Sequence, residues 1–378
     1  MTLTLSVPVM PGDGTGPEIW EATRRVIDFA VARAYGSSRK LDWHEIPHGK
    51  DAVDALLPSK VAIKGPVDRP RDGGTPSFMS TLRGPLGLSV CAQFARQWKG
   101  IVPAVRSPGH RDLLVYRETT EEIHGARLWR AGTDEARRFR DLCTDVGAPV
   151  ADDAAIELRP TSALATQRVM RMALQRAIDQ GLPSVTLVRS GGTSLKQGDA
   201  FSAFCLELVL REFPGAVVRE EELGETTARK AAGGRVVLQE RTLEAALQQV
   251  LLRPGDHRIV VAACEAGGLI SDLALTMVGG PGFGARAHLG DHRALFDVTH
   301  GPAPRQAGQE SASPISLILA GTMLLEHIGW EEAAGSILRA LEKTTAAGFV
   351  PLDLERVAER PSGLRTSQFA SCVIERMS

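Results

Sequence analysis

Apolar and polar positions divide the chain into two kinds of segment. Short aliphatic runs bounded by turn residues lie at 1–10, 60–66, 112–118, 184–192 and 257–264. Because their apolar residues are nearly continuous, these runs predict buried and mostly parallel strands. Apolar positions at helical spacing predict helices over 17–34, 161–180, 199–213, 242–252, 314–328 and 331–344. Strands that alternate with helices in this way predict an α/β fold.

Two stretches interrupt this alternation. Residues 124–160 are less regular and are typical of an excursion from the core, and the Pro/Gly-rich stretch 279–293 is a plausible crossing between domains. The length of 378 residues allows two or three domains.

Composition and charge narrow the class of protein. A hydrophobic content of 43% and a charged content of 24% describe an ordinary globular protein. The net charge of -1 argues against nucleic acid or a membrane surface as partner. The first residues lack a basic region and a cleavage site, and the five cysteines are odd in number and widely spread. We therefore expect a cytoplasmic protein with reduced thiols.

The opening segment VPVMPGDGTGPEIW places a glycine-rich turn between a strand and a helix. A dinucleotide-binding Rossmann turn needs GxGxxG and a later acid, but Pro17 stands at the third glycine and no acid is well placed. The Walker pattern also fails, because Gly-Lys-Ser/Thr is missing. A structural strand-to-helix turn is the better interpretation.

Motifs in a fixed order give the strongest signal. These are PGDGTGPEI (11–19), KGPVDRPRDGGTPSFMSTLRGPLGL (64–88), DLLVYRETTEEIHG (112–125), LEAALQQVLLRP (243–254), GGLISDLA (267–274), GDHRALFDVTHGPAPRQAGQESASP (290–314) and LDLERV (352–357). Together they resemble the β-decarboxylating dehydrogenase family of isocitrate and isopropylmalate dehydrogenases, and the bacterial NADP-dependent isocitrate dehydrogenases most of all. The resemblance covers nearly the whole chain.

The resemblance implies a chemistry. The family oxidises a 2-hydroxy acid with NAD(P) and then releases carbon dioxide, while a divalent metal polarises the hydroxyl and the emerging ketone. Arginines hold the substrate carboxylates, because their planar forks match them. Carried over position by position, Ser77, Arg83, Arg96 and Arg117 are the expected substrate-binding residues. Glu244 and Asp272 stand at positions of two metal-ligating aspartates.

Other family positions are replaced. The resemblance puts Ser190 at the proton-handling lysine and His124 at the catalytic tyrosine, so these two are the candidate catalytic residues. His124 could act as a base, because its ordinary pKa lies near neutral pH. Gly268 stands at the first acid of the metal pair, and Gln93 stands at a third substrate arginine. Glu265 or Lys196 could take over the role of a replaced group that is close in sequence. However, side chains at neighbouring positions of a strand or helix point in different directions. We expect Mg²⁺ or Mn²⁺ to bind poorly.

The cofactor half is better kept. HGPAP matches the family's adenine-side loop. The two cations Arg305 and Arg356 favour NADP, because they can pair with the charge of its 2′-phosphate, and NAD is the alternative. Ser313 stands at a family asparagine and is included in the cofactor set. Near the nicotinamide, Asp68 and Arg69 stand where the family has residues with small hydroxyl side chains. The expected cofactor-binding residues are His300, Gly301, Ala303, Pro304, Arg305, Ser313 and Arg356.

The resemblance also implies an isocitrate/isopropylmalate dehydrogenase-like two-domain α/β fold with parallel-rich sheets. We expect a large domain of 1–88 and 278–378, a small domain of 89–277, and a clasp at 122–162 exchanged between the subunits of a homodimer. Each site would then be shared, with Ser190 and Glu244 serving the neighbouring subunit.

Two functions remain open. One is a divergent enzyme, an NAD(P)-dependent oxidoreductase or a lyase, that acts on a carboxylate- or phosphate-bearing hydroxy acid with altered or weakened oxidative decarboxylation. The other is a catalytically inactive homologue that binds a ligand or nucleotide in a regulatory or scaffolding role.

Overall fold

A computed structural model describes residues 2–49, 51–68, 77–104, 112–121, 127–189, 199–223 and 233–377. The strands are β1 (Leu3–Met10), β2 (Arg39–Glu45), β3 (Val61–Lys64), β4 (Val90–Ala95), β5 (Leu113–Glu118), β6 (Arg127–Trp129), β7 (Ile156–Leu158), β8 (Ser184–Arg189), β9 (Val217–Arg219), β10 (Val236–Thr242), β11 (Ile259–Ala262), β12 (Gly284–Leu289) and β13 (Ala294–Val298). The helices are α1 (Gly16–Tyr35), α2 (Ala52–Leu56), α3 (Phe78–Leu86), α4 (Asp134–Asp145), α5 (Ala163–Asp179), α6 (Ala200–Glu212), α7 (Leu243–Leu252), α8 (Cys264–Met277), α9 (Ile315–His327), α10 (Glu331–Ala346) and α11 (Thr366–Met377). Short 3-10 turns include Pro304–Gln306 and Leu352–Val357.

One large sheet organises the described part of the chain. Its eleven strands run in the order β2-β1-β3-β13-β12-β4-β5-β11-β8-β10-β9. All neighbours pair in parallel except at β12, which is antiparallel to both β13 and β4, and at the β4–β5 pair. Near-continuous apolar runs suit such a sheet, because helices cover its faces. The predicted parallel-rich α/β fold is confirmed.

The first helix shows why the sequence forms these elements. Pro17 lies in the first turn of α1, where its missing N–H costs nothing, and acidic Glu18 favours the positive helix end. Ile19, Val26 and Ala30 recur at helical spacing and are fully buried. The predicted helix over 17–34 is confirmed within one residue at each end.

Strand β12 connects the two halves of the sheet. It comes from the Pro/Gly-rich stretch that was expected as a crossing, and it pairs with β4 on one side and with β13 on the other. The division into domains 1–88/278–378 and 89–277 stays a prediction.

The segment expected as a clasp carries β6, α4 and β7. The two strands form a separate antiparallel pair away from the main sheet. Leu128, Leu142, Val146 and Leu158 of this segment are exposed, by 47% to 72%. Residues 122–126 lie outside the described residues. In the part of the chain that the structure describes, no helix is both long enough and apolar enough to cross a membrane.

Candidate active site

The opening glycine turn is a structural clamp. Gly12 and Gly14 have φ values of 91° and 56°, a region that favours glycine. A Cβ on Gly12 would lie 2.1 Å from the carbonyl oxygen of Pro66, and one on Gly14 would lie 2.2 Å from that of Pro302. The Asp13 amide donates to Pro66 O at 2.7 Å, and the Thr15 amide donates to Pro302 O at 2.9 Å. The turn therefore packs two loops against the start of α1.

Those two loops border a cleft of about 520 Å³. Ser77 and Arg83 of the expected substrate set line it, and so do His300 and Gly301 of the expected cofactor set. One cavity is therefore lined by two residues of each expected set. The cavity is also lined by residues that the sequence did not single out, among them Lys64, Arg286, Asp297 and Thr299.

Helix α3 positions Ser77 and Arg83, two of the expected substrate-binding residues. Ser77 is the N-cap of α3, and its Oγ accepts a hydrogen bond from the Ser80 amide at 3.3 Å. Short polar side chains are favoured at this position of a helix. Arg83 lies in the last turn and is 9% exposed. Burial lowers the pKa of Arg83, and the guanidinium groups of Arg117 and Arg286 lower it further. Arg117 and Arg286 therefore both lie close enough to repel Arg83, and an anion beside Arg83 would offset this repulsion.

A buried ionic cluster forms the floor of the cleft. Asp297 and Lys64 face one another across β13 and β3, with Nζ 2.9 Å from Oδ1, and Arg286 Nη2 lies 3.2 Å from Oδ2. Burial alone would raise the pKa of Asp297, but the charges of Lys64 and Arg286 outweigh it and lower the pKa. Burial lowers the pKa of the adjacent His288 to about 3, so this imidazole is neutral. A charged residue inside each of the short strands VAIK and ALFDV was the sequence signal for this cluster.

Arg117 lies against Gly268, the position at which the family resemblance predicts a metal-binding acid. A Cβ built on Gly268 would be 2.9 Å from Arg117 Nη1, and one built on Gly267 would be 2.7 Å from Arg117 Cβ. Asp272, one turn further along α8, is close enough to interact electrostatically with Arg117. A guanidinium therefore borders the place from which an acid at residue 268 would project.

The two expected metal ligands lie on different helices. Glu244 is exposed in the first turn of α7, and Asp272 is exposed on α8. Glu265 contacts Arg159 at 2.5 Å. Among the residues that the structure describes, no three or more His, Cys, Asp or Glu side chains are grouped so that they could hold a metal ion. His124 and Ser190 lie outside the described residues.

Arg96 lies away from the cleft. Its Nε is 3.6 Å from Asp112 Oδ1, and its guanidinium lies 5.1 Å from the Trp98 ring centroid. It lines a second cavity of about 280 Å³ together with Phe94 and Ala287. Arg286, the neighbour of Ala287 on β12, lines the cleft instead, so the two cavities lie on opposite faces of the sheet. The structure does not bring Arg96 to Arg83, and its role stays a prediction.

The opening turn holds the expected adenine-side loop through the hydrogen bond from the Thr15 amide to Pro302 O. His300 Nδ1 lies 2.9 Å from the carbonyl oxygen of Gly301, and burial lowers the His300 pKa. Ala303 adopts φ 41°, an uncommon value for a residue with a side chain. Pro304 and Arg305 follow in a 3-10 turn, and Arg305 is exposed.

A second set of contacts joins this loop to the 3-10 turn at Leu352–Val357. The Ser313 amide donates to Asp353 Oδ2 at 2.9 Å, and the Asp353 amide donates to Ser311 O at 3.3 Å. Burial raises the pKa of Asp353 to about 6. Arg356 is exposed on the same 3-10 turn. The structure therefore brings together the segments that carry Arg305 and Arg356.

A large parallel-rich sheet with a cleft lined by Lys64, Arg83 and Arg286 defines an α/β protein whose cleft suits an anionic ligand. Comparison with known proteins makes the assignment specific. The family model for isocitrate/isopropylmalate dehydrogenase matches residues 6–373. The NADP isocitrate dehydrogenase of Staphylococcus aureus is 34% identical over 401 aligned residues, covering 98% of this chain and 95% of the relative. That of Pseudomonas aeruginosa is 34% identical over 389 residues, covering 98% and 93%.

A solved structure agrees with these sequence relatives. The crystal structure of isocitrate dehydrogenase from Methylococcus capsulatus superimposes with a TM-score of 0.77 at 26% identity, and covers 99% of both chains. This chain belongs to the isocitrate/isopropylmalate dehydrogenase family. The family resemblance predicted from the motifs is confirmed.

Proposed function

We propose that this protein is a divergent member of its family that binds NADP and a carboxylate- or phosphate-bearing hydroxy acid, with altered or weakened oxidative decarboxylation. One observation carries the proposal: Ser77 and Arg83 line the same cleft as His300 and Gly301. Sequence relatives named as NADP isocitrate dehydrogenases support the cofactor and the class of substrate.

The chain's own residues supply the anion binding. Arg83 and Arg117 would hold carboxylates, because planar guanidinium groups form paired, charge-assisted hydrogen bonds with them. The Nε atom of Arg117 is buried and has no hydrogen-bond partner among the described residues, so it retains a donor for a ligand. Ser77 Oγ would position a further substrate oxygen from the start of α3.

The proposed divergence from the family's ordinary reaction concerns metal binding and proton transfer. A divalent metal, where bound, would polarise the substrate hydroxyl. Asp272 of one subunit and Glu244 of its neighbour would be its carboxylate ligands, and Arg117 beside Gly268 would oppose its charge. A serine at 190 has no ammonium group, and His124 would be the candidate base, because its ordinary pKa lies near neutral pH.

Arg305 and Arg356 would recognise the 2′-phosphate of NADP. Their segments are joined by the hydrogen bond from Ser313 to Asp353, and both side chains are exposed. Charge-assisted hydrogen bonds contribute about 1.5–3 kcal/mol each, and exposure favours the lower end. The pair would therefore favour NADP over NAD by roughly a hundredfold.

The test is the dissociation constant of NADP and of NAD, measured calorimetrically on the wild type and on the double variant Arg305→Ala, Arg356→Ala. We expect the wild type to prefer NADP and the double variant to lose that preference while keeping its NAD affinity. Arg24→Ala is the control, because Arg24 is an exposed arginine paired with Glu21 on α1. Equal affinity of the wild type for both nucleotides would overturn the NADP assignment.

A second function is a homologue that binds ligands without turnover. The packing of Arg117 against Gly268 favours it, because the expected metal acid is replaced there. If the protein binds NADP and a hydroxy acid but neither compound reacts, the result would support this second function. Formation of any product from a hydroxy acid would select the enzyme.

We further propose a homodimer with shared sites and a cytoplasmic location. Glu244 is exposed in the single chain, as a residue that serves a neighbouring subunit would be. The β6–α4–β7 segment exposes three leucines and a valine, and a subunit interface would bury such apolar side chains. Sedimentation giving a monomer at micromolar concentration would contradict the dimer.

A further inference from the structure

The second cavity, of about 280 Å³, lies on the face of the sheet opposite to the cleft. Strands β4, β5, β12 and β13 contribute to its floor, and α5 and α9 contribute further lining residues. Because side chains alternate between the two faces of a strand, the same strands can serve both cavities with different residues. Among the described residues, no side chain lines both cavities. The second cavity is therefore separate from the cleft that is proposed for NADP and the hydroxy acid.

The interior of the second cavity is mainly apolar and contains three aromatic rings. Phe94, Tyr116 and Phe296 line it from β4, β5 and β13. Leu114 and Met323 also line it and are only half-buried, so apolar surface is left there for a ligand to cover. Small-molecule sites are typically apolar with a few polar groups, and they usually have volumes of about 300–1,000 Å³. The second cavity is just below that range, so its ligand would be small, with about one ring.

Three charged residues meet at one edge of this floor, where β4 ends and where β5 and β11 begin. Arg96 follows β4, Asp112 precedes β5 and Arg258 precedes β11, and all three line the cavity. The pairing of β5 with β4 and with β11 brings these positions to the same edge of the sheet. Arg96 Nε lies 3.6 Å from Asp112 Oδ1, whereas Arg258 forms no ion pair with any described residue. Two guanidinium groups at this edge therefore share one carboxylate.

The other charges that line the cavity are balanced. Arg176 Nη2 lies 2.9 Å from Glu326 Oε2. Burial lowers the pKa of His327, so its imidazole is uncharged at neutral pH. Burial raises the pKa of Tyr116 to about 12, so its hydroxyl keeps its proton. Among the described lining residues, Arg258 is the cation left without a carboxylate, and the cavity therefore suits a ligand with a single negative charge.

We propose that the second cavity binds a small aromatic acid with one carboxylate, its ring against the aromatic floor and its carboxylate at Arg258. A guanidinium forms paired, charge-assisted hydrogen bonds with a carboxylate. Aromatic rings attract one another in offset or edge-to-face contacts, which the floor can offer to a flat ligand. Such a ligand would be neither the hydroxy acid nor NADP, because both are placed in the cleft.

The experiment measures the binding of phenylacetate, phenylacetamide and acetate to the wild-type protein, by calorimetry and thermal shift. Phenylacetamide keeps the ring without the charge, and acetate keeps the charge without the ring. We expect phenylacetate to bind in a one-to-one ratio and the other two probes to bind at least about tenfold more weakly, because each lacks half of the recognition. Equal affinity for phenylacetate and either of the other probes would overturn the proposed ligand class.

Variants test the site itself. Arg258→Met should weaken phenylacetate about tenfold to a hundredfold, which is the loss of one charge-assisted hydrogen bond. Arg258→Lys should keep part of the affinity, and it guards against loss of the fold. Met323→Trp should block binding without a change of charge, because the larger side chain would fill the cavity from α9. Arg253→Met is the matched control, since Arg253 is an exposed arginine that does not line the cavity.

Arg83→Met decides whether phenylacetate occupies the second cavity or the cleft. Of the two cavities, Arg83 lines the cleft, so this variant should bind phenylacetate as the wild type does. Binding that is lost in Arg83→Met and kept in Arg258→Met would place the probe in the cleft and overturn the second site. Failure of the wild type to bind phenylacetate at millimolar concentrations would also overturn it. The affinity for NADP tests the proposed function separately.

Discussion

The backbone amide of Ser313 donates a hydrogen bond to Oδ2 of Asp353 at 2.9 Å. This bond joins the loop that begins at His300 to the 3-10 turn that carries Arg356. Asp353 is half-buried, and burial raises its pKa to about 6. The geometry of the expected nucleotide pocket therefore depends on a carboxyl group that titrates just below neutral pH.

Replacing Asp353 by Asn should flatten the dependence of stability on pH. The pKa of Asp353 is about 6 in the folded chain against an ordinary value of 3.8. Because the folded-state pKa is raised, the contribution of this group is complete below the ordinary value and is lost as pH rises through about 6. The loss is at most about 3 kcal/mol. An Asn side chain stays neutral and still accepts from the Ser313 amide.

The measurement is the free energy of unfolding in urea, at steps between pH 4 and pH 7 that span the two values. The variant should gain stability relative to the wild type as pH rises. Asp141→Asn on the exposed side of α4 is the control. Parallel curves for the wild type and Asp353→Asn would contradict the assignment.

Gly14→Ala should destabilise the protein and weaken nucleotide binding. The new Cβ would lie 2.2 Å from the carbonyl oxygen of Pro302, a backbone atom that moves only with the adenine-side loop. The residue would also be forced into the left-handed region, which costs about 1–2 kcal/mol. We expect a total loss above about 3 kcal/mol, because the clash adds to that strain.

Gly132→Ala separates the two causes. Gly132 has φ 81°, and nothing lies within 4 Å of a Cβ built there, so only the backbone strain applies. It should cost about 1–2 kcal/mol and leave NADP binding unchanged. Similar losses in both variants would show that the turn does not clamp the loop.

Gly268→Asp should strengthen the binding of Mg²⁺. A carboxylate there would add an oxygen ligand near Asp272, and the contact with Arg117 Nη1 at 2.9 Å involves the movable end of a side chain. Calorimetric titration of Mg²⁺ in the presence of isocitrate is the measurement. Gly268→Ala controls for the contact with Arg117, and tight stoichiometric binding by the wild type without substrate would contradict the prediction.

Long periodic helices and nearly continuous aliphatic strands such as β3 and β11 were predictable from the sequence, whereas elements with glycine in or around them were not. The helices at 161–180 and 314–328 occur as α5 and α9 within two residues. Helix α8 was missed because its sequence, CEAGGLISDLALTM, continues the apolar run of β11 and contains two glycines. Strand β12 was missed because glycine and proline surround it.

Site residues that share one motif could be placed together from the sequence. Residues that meet only through the register of the sheet could not. Ser77 and Arg83 share α3, so their placement in one cleft follows from a single helix. The cluster of Lys64, Arg286 and Asp297 depends on the pairing of three strands, which residue patterns do not specify. Arg96 illustrates the same limit, because the face on which a side chain lies changes with each residue along a strand.

The most direct test of the account is oxidation of isocitrate by the wild-type protein once its NADP binding has been established on the same sample. The assay follows formation of reduced nicotinamide by ultraviolet absorbance, with Mg²⁺ or Mn²⁺, with NADP or NAD, and with isocitrate or isopropylmalate. An active isocitrate dehydrogenase is assayed alongside as the positive control. The replacements that the family resemblance implies at His124, Ser190 and Gly268 predict that turnover is far below that of the control. The proposed roles of Arg305 and Arg356 predict that NADP binds. Turnover equal to that of the control would contradict the proposed divergence and assign the ordinary reaction of the family to this protein.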